Sequence, residues 1–288
     1  MIATATETRF RAMGCEIVVA GAGAPELVAI RGLFAENDRV FSRFRPDSEL
    51  NSVNRAAGRA TLVSHRFAET LGAALAIAEQ TGGLVDPTIG AALVALGYAR
   101  DFAELGDDPS PPGPTAPAPG WRRVSLTGRL LRIPRGCALD LNGVVKAATV
   151  DEAVGLLRGG GFVSAGGDLA VRGATDVALP AGGAVRVVRG GIATTGTGRR
   201  RWRRGGIWYH HLIDPATGLP ADSPWREVSA SGASCLDADV AARCALLSGA
   251  GGPEWLDGRG VPGRFVAHDG SVTVNRTWAA MTIGAACT

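Results

Sequence analysis

Lysine is almost absent from this chain. Lys146 is the only one in 288 residues, and every other basic position among the 30 is arginine. Coding bias can exchange lysine for arginine wherever either serves, so the one retained lysine is a position to inspect, because a compact ammonium and a planar guanidinium do different work. A large charge excess is also missing. The formal net charge is +3, which argues against a dedicated nucleic-acid binder, whose basic excess is larger and clustered. No apolar run approaches the roughly 20 residues of a membrane span. The N-terminus, MIATATETRFRAMGCEIVVAG, has no basic stretch followed by a long apolar one, so neither a signal peptide nor a lipid anchor is expected, and the expected location is cytoplasmic.

The cysteines Cys15, Cys137, Cys235, Cys244 and Cys287 include no CxxC pair. A scattered, odd set reads as reduced core thiols rather than a disulfide framework or a zinc site. His65, His210, His211 and His268 do not make a spaced zinc set either. No G-x-G-x-x-G follows a strand, and neither a P-loop nor a G-x-S-x-G elbow occurs.

What is present is an ordinary globular balance, 46% hydrophobic and 20% charged, in a length that suits one large domain or two intimately packed lobes. Residues 15–20 read as a strand. Residues 26–41 read as a helix with Leu27, Ile30, Phe34 and Phe41 on one face. RPDSELNSVN, 45–54, reads as a loop. Ser64 caps a predicted helix over 65–80 with Phe67, Leu71, Leu75 and Ala78 inward. TGGLVDPTIG, 81–90, reads as a loop, and 106–120, GDDPSPPGPTAPAPG, as a proline-rich linker or an insertion within one core. Short strands are expected near 121–133, a helix over 146–158, a buried strand in 159–173, several strands over 176–234, a last helix at about 237–248, and strands from there to Thr288. Helices alternate with β segments without a regular βα unit, which predicts an α+β fold with mostly antiparallel sheet.

Several segments carry candidate chemistry. LDLNGVVK, 139–146, reads as an apolar strand holding Asp140, followed by Lys146 near a helix start. A carboxylate there is costly unless paired or hydrogen-bonded; it is a structural Asp or a ligand acceptor, with Lys146 placed to meet an anion. SAGGDLA, 164–170, sets two glycines before Asp168, as a tight turn or a close backbone approach. In HHLIDPATGLP, 210–220, Asp214 is expected to cap a turn, with His210 and His211 on opposite strand faces. RRRWRR, 199–204, reads as a solvated strand face or a contact for phosphate or an acidic partner. Asp239 and Arg243 share a helix face, as a surface ion pair or something more.

Together these segments resemble the FAD:protein FMN transferase (ApbE-type) family. The segments AMGCEIVV (12–19), FSRFRPDSELNSVN (41–54), TGGLVDPTIG (81–90) and LDLNGVVKAATVDEA (139–153) carry the resemblance. SAGGDLAVRG (164–173), GIATTG (191–196), HHLIDPATGLP (210–220) and CLDADVAARCALLSG (235–249) continue it in the same order. The resemblance implies one domain over 1–288, two intimately packed halves, and transfer of FMN from FAD to a Thr or Ser of a partner protein with release of AMP and help from magnesium.

It further implies that Met13, Phe44, Leu84, Val85, Asp86, Asp140, Lys146 and Ile213 bind FAD. Lys146 and Asp239 are the implied catalytic residues, and the metal is implied at Asp239 and a carbonyl of Gly143–Val145. Phe44 stands where tyrosine is common. Ala147 stands where glycine is usual, and Arg243 stands at the position of a metal-binding Thr. An arginine there can pair with Asp239 in the metal's place or swing to clamp the pyrophosphate. Two alternatives stand beside transfer: a flavin-binding relative with FAD hydrolase or no catalytic activity, and an arginine-rich anion-binding module. The expected partners are FAD and an acceptor protein, with no nucleic acid and no membrane span.

Overall fold

Residues 13 and 14 turn the chain on itself. Met13 and Gly14 have φ of 49° and 68°, the left-handed pair that a two-residue hairpin requires. They join β1 (Glu7–Ala12) to β2 (Cys15–Ala20), with Ala12 opposite Cys15. The computed structural model describes the backbone of residues 7–285 and side chains through residue 280, so Cys287 lies outside the described residues. From β2 the sheet continues in chain order through β3 (Gly161–Ala165), β4 (Asp168–Arg172), β5 (Gly191–Gly196), β6 (Trp225–Gly232), β7 (Gly263–Ala267) and β8 (Val272–Val274). Every neighbour pairing in this eight-stranded sheet is antiparallel. The fold is α+β with a large antiparallel sheet, as the pattern of segments predicts.

The helices are α1 (Ala24–Phe41), α2 (Glu49–Arg55), α3 (His65–Gln80), α4 (Gly90–Ala95), α5 (Asn142–Gly155), α6 (Cys235–Leu247), α7 (Gly252–Asp257) and α8 (Arg276–Ala285). None is long and apolar enough to cross a membrane among the described residues. The chain forms two compact units: Met1–Ala35, Lys146–Gly196 and Asp222–Thr288 make the first; Glu36–Val145 and Thr197–Ala221 make the second.

The first unit contains the whole sheet, covered on both faces. On one face Ile17, Val19, Val163, Ala165 and Ala170 pack with Ile30 and Phe34 of α1 and Ala147, Val150 and Ala153 of α5. On the other, Leu169, Val171 and Ile192 pack with Trp278 of α8. In β4 the alternation of Leu169, Ala170 and Val171 therefore serves two cores.

Helix α6 lies against β5 and β6, and two glycines set how close it comes. Gly191 and Gly232 face each other in register. A Cβ on Gly191 would lie 2.6 Å from the Cα of Cys235, and one on Gly232 would lie 2.8 Å from the amide N of Ala238. The helix start is held by Ser234, whose Oγ accepts from the Asp237 amide at 3.0 Å, and by Asp151 of α5. The Asp151 carboxylate accepts from the amides of Cys235 and Leu236 at 2.7 and 2.9 Å. These contacts satisfy N–H groups that a helix cannot satisfy by itself.

In the second unit, Ser48 and Ser64 cap α2 and α3, each accepting an amide at 3.1 Å. Phe41 stacks on Phe67 with centroids 5.6 Å apart. A row of rings, Phe44, Tyr98, Trp202 and Tyr209, runs with centroid spacings of 5.4, 5.0 and 6.5 Å. The proline-rich segment 106–120 lies within this unit and is tied to it by main-chain bonds. Asp108 N donates to Arg203 O, Gly113 N to Ala95 O and Ala118 N to Pro215 O.

Several local expectations are corrected. Residues 49–55 are a helix rather than loop, because Ser48 caps the turn. The segment 159–173 is a hairpin of two strands with Gly166 and Gly167 at its tip, both at positive φ. Residues after 249 include α7 and α8, so α6 is not the last helix. His210 ends a strand, His211 lies beyond it, and both are half-buried.

The glycine contacts give a paired expectation. Gly191→Ala must displace backbone and should destabilise the protein by about 1–3 kcal/mol, the usual cost of overpacking. Gly32→Ala, on the exposed face of α1 with open space around it, should stabilise by about 0.5–1 kcal/mol through helix propensity. Denaturant midpoints of the two variants should shift in opposite directions.

Candidate functional site

Three segments singled out in the sequence meet in the second unit. The 86–90 loop runs beside 138–140: Asp140 N donates to Pro87 O at 2.8 Å, and Gly90 N donates to Ala138 O at 3.0 Å. Gly90 must be glycine, since a Cβ would lie 2.6 Å from Ala138 O. Asn54 of α2 locks the same strip, accepting from Leu139 N at 2.7 Å and donating to Leu139 O at 3.1 Å. Asp140 is not in a strand. It precedes α5, which starts four residues earlier than the apolar run suggests, and its carboxylate accepts from the Asn142 amide at 2.8 Å. An acceptor placed there stabilises a helix start.

Asp140 is buried and faces a cation that sequence reasoning missed. Arg43 Nε lies 2.5 Å from Asp140 Oδ2, with the two side chains 5% and 6% exposed. The N–H does not point along that contact, so charge rather than a directed hydrogen bond holds the pair. Arg43 Nη1 donates to Tyr98 O at 2.9 Å, and the guanidinium sits 4.9 Å from the centres of both the Phe44 and Tyr98 rings. Ile213 packs in the same aromatic cluster. Phe44, Asp140 and Ile213 are thus brought together around Arg43 and Tyr98. The available signal was an arginine directly before Phe44, in a stretch whose other basic residue, Arg45, is exposed.

Asp86 plays a visible structural part. Its Oδ1 accepts from the Thr88 amide at 2.8 Å and the Thr88 hydroxyl at 2.6 Å, and its Oδ2 accepts from Trp121 N at 3.0 Å. It fixes the loop that carries Leu84 and Val85, of which Val85 is buried. Asp214 caps its turn as expected, accepting from the Ala216 amide at 2.9 Å. The last four residues of RRRWRR, Arg201–Arg204, form a strand with Trp202 buried and its indole N–H donating to Leu96 O at 2.7 Å, while Arg201 and Arg203 point outward.

The first unit holds Met13, Lys146 and Asp239. Met13 occupies the left-handed turn between β1 and β2, a costly conformation for a residue with a side chain. Gly166 N donates to Glu16 O at 3.1 Å, bringing the SAGGDLA tip beside this hairpin. Lys146 is no free cation at a helix start. It lies one turn inside α5, and its ammonium pairs with Asp168 at the start of β4. Asp168 is 1% exposed and Lys146 17%. The second carboxylate oxygen, Asp168 Oδ1, is buried without a hydrogen-bond partner.

Asp239 sits on α6 one turn past the glycine contact and faces β5. Arg243 Nη2 donates to Asp239 Oδ2 at 3.1 Å, and the Thr195 hydroxyl lies 3.5 Å from Oδ1. The pair is not on the surface: Asp239 is 3% and Arg243 16% exposed. Gly143 lies in the first turn of α5. Among the described residues no group of three or more His, Cys, Asp or Glu could hold a metal ion.

The ApbE family matches residues 13–265 of the chain. The chain belongs to the ApbE family. Similar proteins include an FAD:protein FMN transferase of Treponema pallidum, 29% identical over 252 residues, covering 75% of this chain and 69% of that protein. Another FAD:protein FMN transferase, from Vibrio cholerae, is 26% identical over 238 residues, covering 74% and 70%. Among solved structures, the ApbE protein of Thermotoga maritima superposes with a TM-score of 0.83 at 21% identity, covering 96% of this chain and 98% of that one. The apo form of the Pseudomonas stutzeri flavinyl transferase ApbE gives 0.77 at 20% identity, covering 97% and 98%. At those identities the structures establish the fold, and the family match establishes membership.

The buried pair in the second unit can be tested by a mutant cycle. Arg43→Met leaves the Asp140 carboxylate buried without a counter-charge and should cost about 3–5 kcal/mol. Arg43→Met with Asp140→Asn should recover most of that loss in denaturant unfolding, because Asn keeps an acceptor for the Asn142 amide and carries no charge.

Proposed function

We propose that this chain is an FAD:protein FMN transferase. It takes FAD, passes the FMN moiety to the hydroxyl of a Thr or Ser on an acceptor protein, and releases AMP. The observation that carries the reading is the convergence of separated segments. FSRFRPDSELNSVN, TGGLVDPTIG and LDLNGVVK meet in one unit through main-chain bonds at Pro87 and Ala138 and through the side-chain amide of Asn54. Segments that assemble this closely carry Phe44, Leu84, Val85, Asp86 and Asp140, the positions read as contacting FAD, with Ile213 in the same unit and Met13 and Lys146 in the other. The curated relatives named as FAD:protein FMN transferases support the same reading.

In this reaction the acceptor oxygen forms a bond to the phosphorus of the FMN half while the pyrophosphate P–O bond breaks. The hydroxyl proton leaves to a base or water, and AMP carries away the developing negative charge. Such chemistry is driven by positioning and by positive charge on the phosphate oxygens. Two little-exposed cations suited to that work are Lys146 and Arg243. Asp168 holds the Lys146 ammonium, which fixes its position.

Magnesium does not fit the side chains around Asp239 as they stand. The ion wants oxygen donors in near-octahedral array, and here the one carboxylate already receives a guanidinium. The charge for phosphoryl transfer therefore comes from this chain's own cations. The same observation favours a second reading, a flavin-binding relative that hydrolyses FAD or only binds it. FMN transfer to a candidate acceptor, read by in-gel flavin fluorescence, separates the two.

FAD should bind at least about tenfold tighter than riboflavin, about 1.4 kcal/mol, by calorimetry; equal affinities would remove the pyrophosphate and adenine contacts from the reading. Lys146→Ala should lower FAD affinity or AMP release by on the order of tenfold, the loss of one charge-assisted contact. Arg201→Ala, on an exposed strand position stacked over Trp208, should leave both nearly unchanged.

A further inference from the structure

We propose that Arg243 is a built-in replacement for a divalent ion, so that Asp239 holds a guanidinium where it would otherwise hold a metal. The inference rests on the transferase reading for its role in catalysis, but the occupancy of Asp239 stands on geometry alone.

Three features hold the pair. Ser234 and Asp151 anchor the start of α6, and Gly191 and Gly232 let that helix press onto β5 and β6. Residues four apart share a helix face, so Arg243 reaches Asp239 along the helix at 3.1 Å. The Thr195 hydroxyl from β5 takes the other carboxylate oxygen at 3.5 Å. Both oxygens of Asp239 therefore point at groups of this chain. The guanidinium carries positive charge close to where a divalent ion would bind, in a setting too buried for water to screen the repulsion. Moving it away would strip a buried carboxylate of its partner.

The arrangement also leaves a donor over. Arg243 Nε is buried and makes no hydrogen bond. A buried N–H without an acceptor is costly, and an incoming phosphate oxygen would satisfy it. A guanidinium can meet carboxylate and phosphate at once through different edges of its planar fork. Arg243 thus has the donors to bridge Asp239 and one phosphate group of the dinucleotide, supplying the positive charge that a metal would bring.

The test separates metal occupancy from catalysis. Mn2+ is the probe, followed by electron paramagnetic resonance of the free ion, with AMP release from FAD measured against magnesium in parallel. Wild type should show no saturable Mn2+ site that depends on Asp239, and its AMP release should persist in EDTA. Arg243→Thr removes the guanidinium and adds a hydroxyl on the same face. It should gain an Mn2+ site at least about tenfold tighter than any in wild type, and Arg243→Thr with Asp239→Asn should lose it again. Arg243→Gln, which keeps a hydrogen bond to Asp239 without the charge, should gain affinity in the same direction if the Thr variant does not fold. Arg243→Lys should gain none. A wild-type Mn2+ site abolished by Asp239→Asn would overturn the proposal. So would strong magnesium activation of wild type that Arg243→Thr leaves unchanged. If every variant binds metal as expected yet none binds FAD, the transferase reading fails while the replacement stands.

Discussion

A carboxylate taken out of water must find a positive charge or a set of donors, and three buried aspartates of this chain meet that demand with cations of their own. Asp140 faces Arg43, Asp168 faces Lys146, and Asp239 faces Arg243. Removing one member of such a pair costs far more than the pair contributes by itself, because the survivor stays buried and charged. Two of the pairs therefore tie distant parts of the chain together under penalty, while the third lies along a single helix. Arg43 commits the end of α1 to the start of α5, and Lys146 commits α5 to the hairpin tip at Asp168. The only lysine of the chain is spent on one of these links. The arginines do the rest, one of them set against two neighbouring aromatic rings.

One member of each pair, Asp140, Lys146 and Asp239, stands at a position that the family resemblance marks for FAD or metal. An aspartate held by an internal cation is fixed in place and partly neutralised before any ligand arrives. Each pair is charge held in a fixed orientation by the fold itself.

The scaffolding beneath them is built from close approach. Gly90 lets the 86–90 loop lie against 138–140, and Gly191 with Gly232 lets α6 descend onto the sheet. Each glycine serves because neighbouring backbone, rather than a movable side chain, fills the space a Cβ would take. Cys137 and Cys244 are pushed up to about 12 by burial, and Cys235 is raised well above its ordinary value for the same reason. They act as small apolar fillers in these tight places, as their scattered spacing suggests.

Much of this was legible in the residues. The α3 boundaries follow from a serine cap and a 3.6-residue stripe, both local. The antiparallel α+β class follows from strands without repeated βα units, and the family from eight segments in order, a property of linear sequence. The turn at Asp214 could be read from Asp-Pro and Thr-Gly, because a side chain that satisfies its own backbone needs no distant partner. Other features could not be read this way. Nothing local says that Asp140 precedes a helix rather than lying in a strand, since the amide it accepts and the arginine it faces are supplied by folding. Nothing in the spacing of Asp239 and Arg243 distinguishes a surface ion pair from a buried one. That distinction depends on how closely α6 approaches the sheet, and two glycines on different strands set it only once those strands are paired. Residue types and local periodicity determine which elements form; the desolvation that makes a charge pair matter is decided by what packs over it, and only the tertiary structure supplies that.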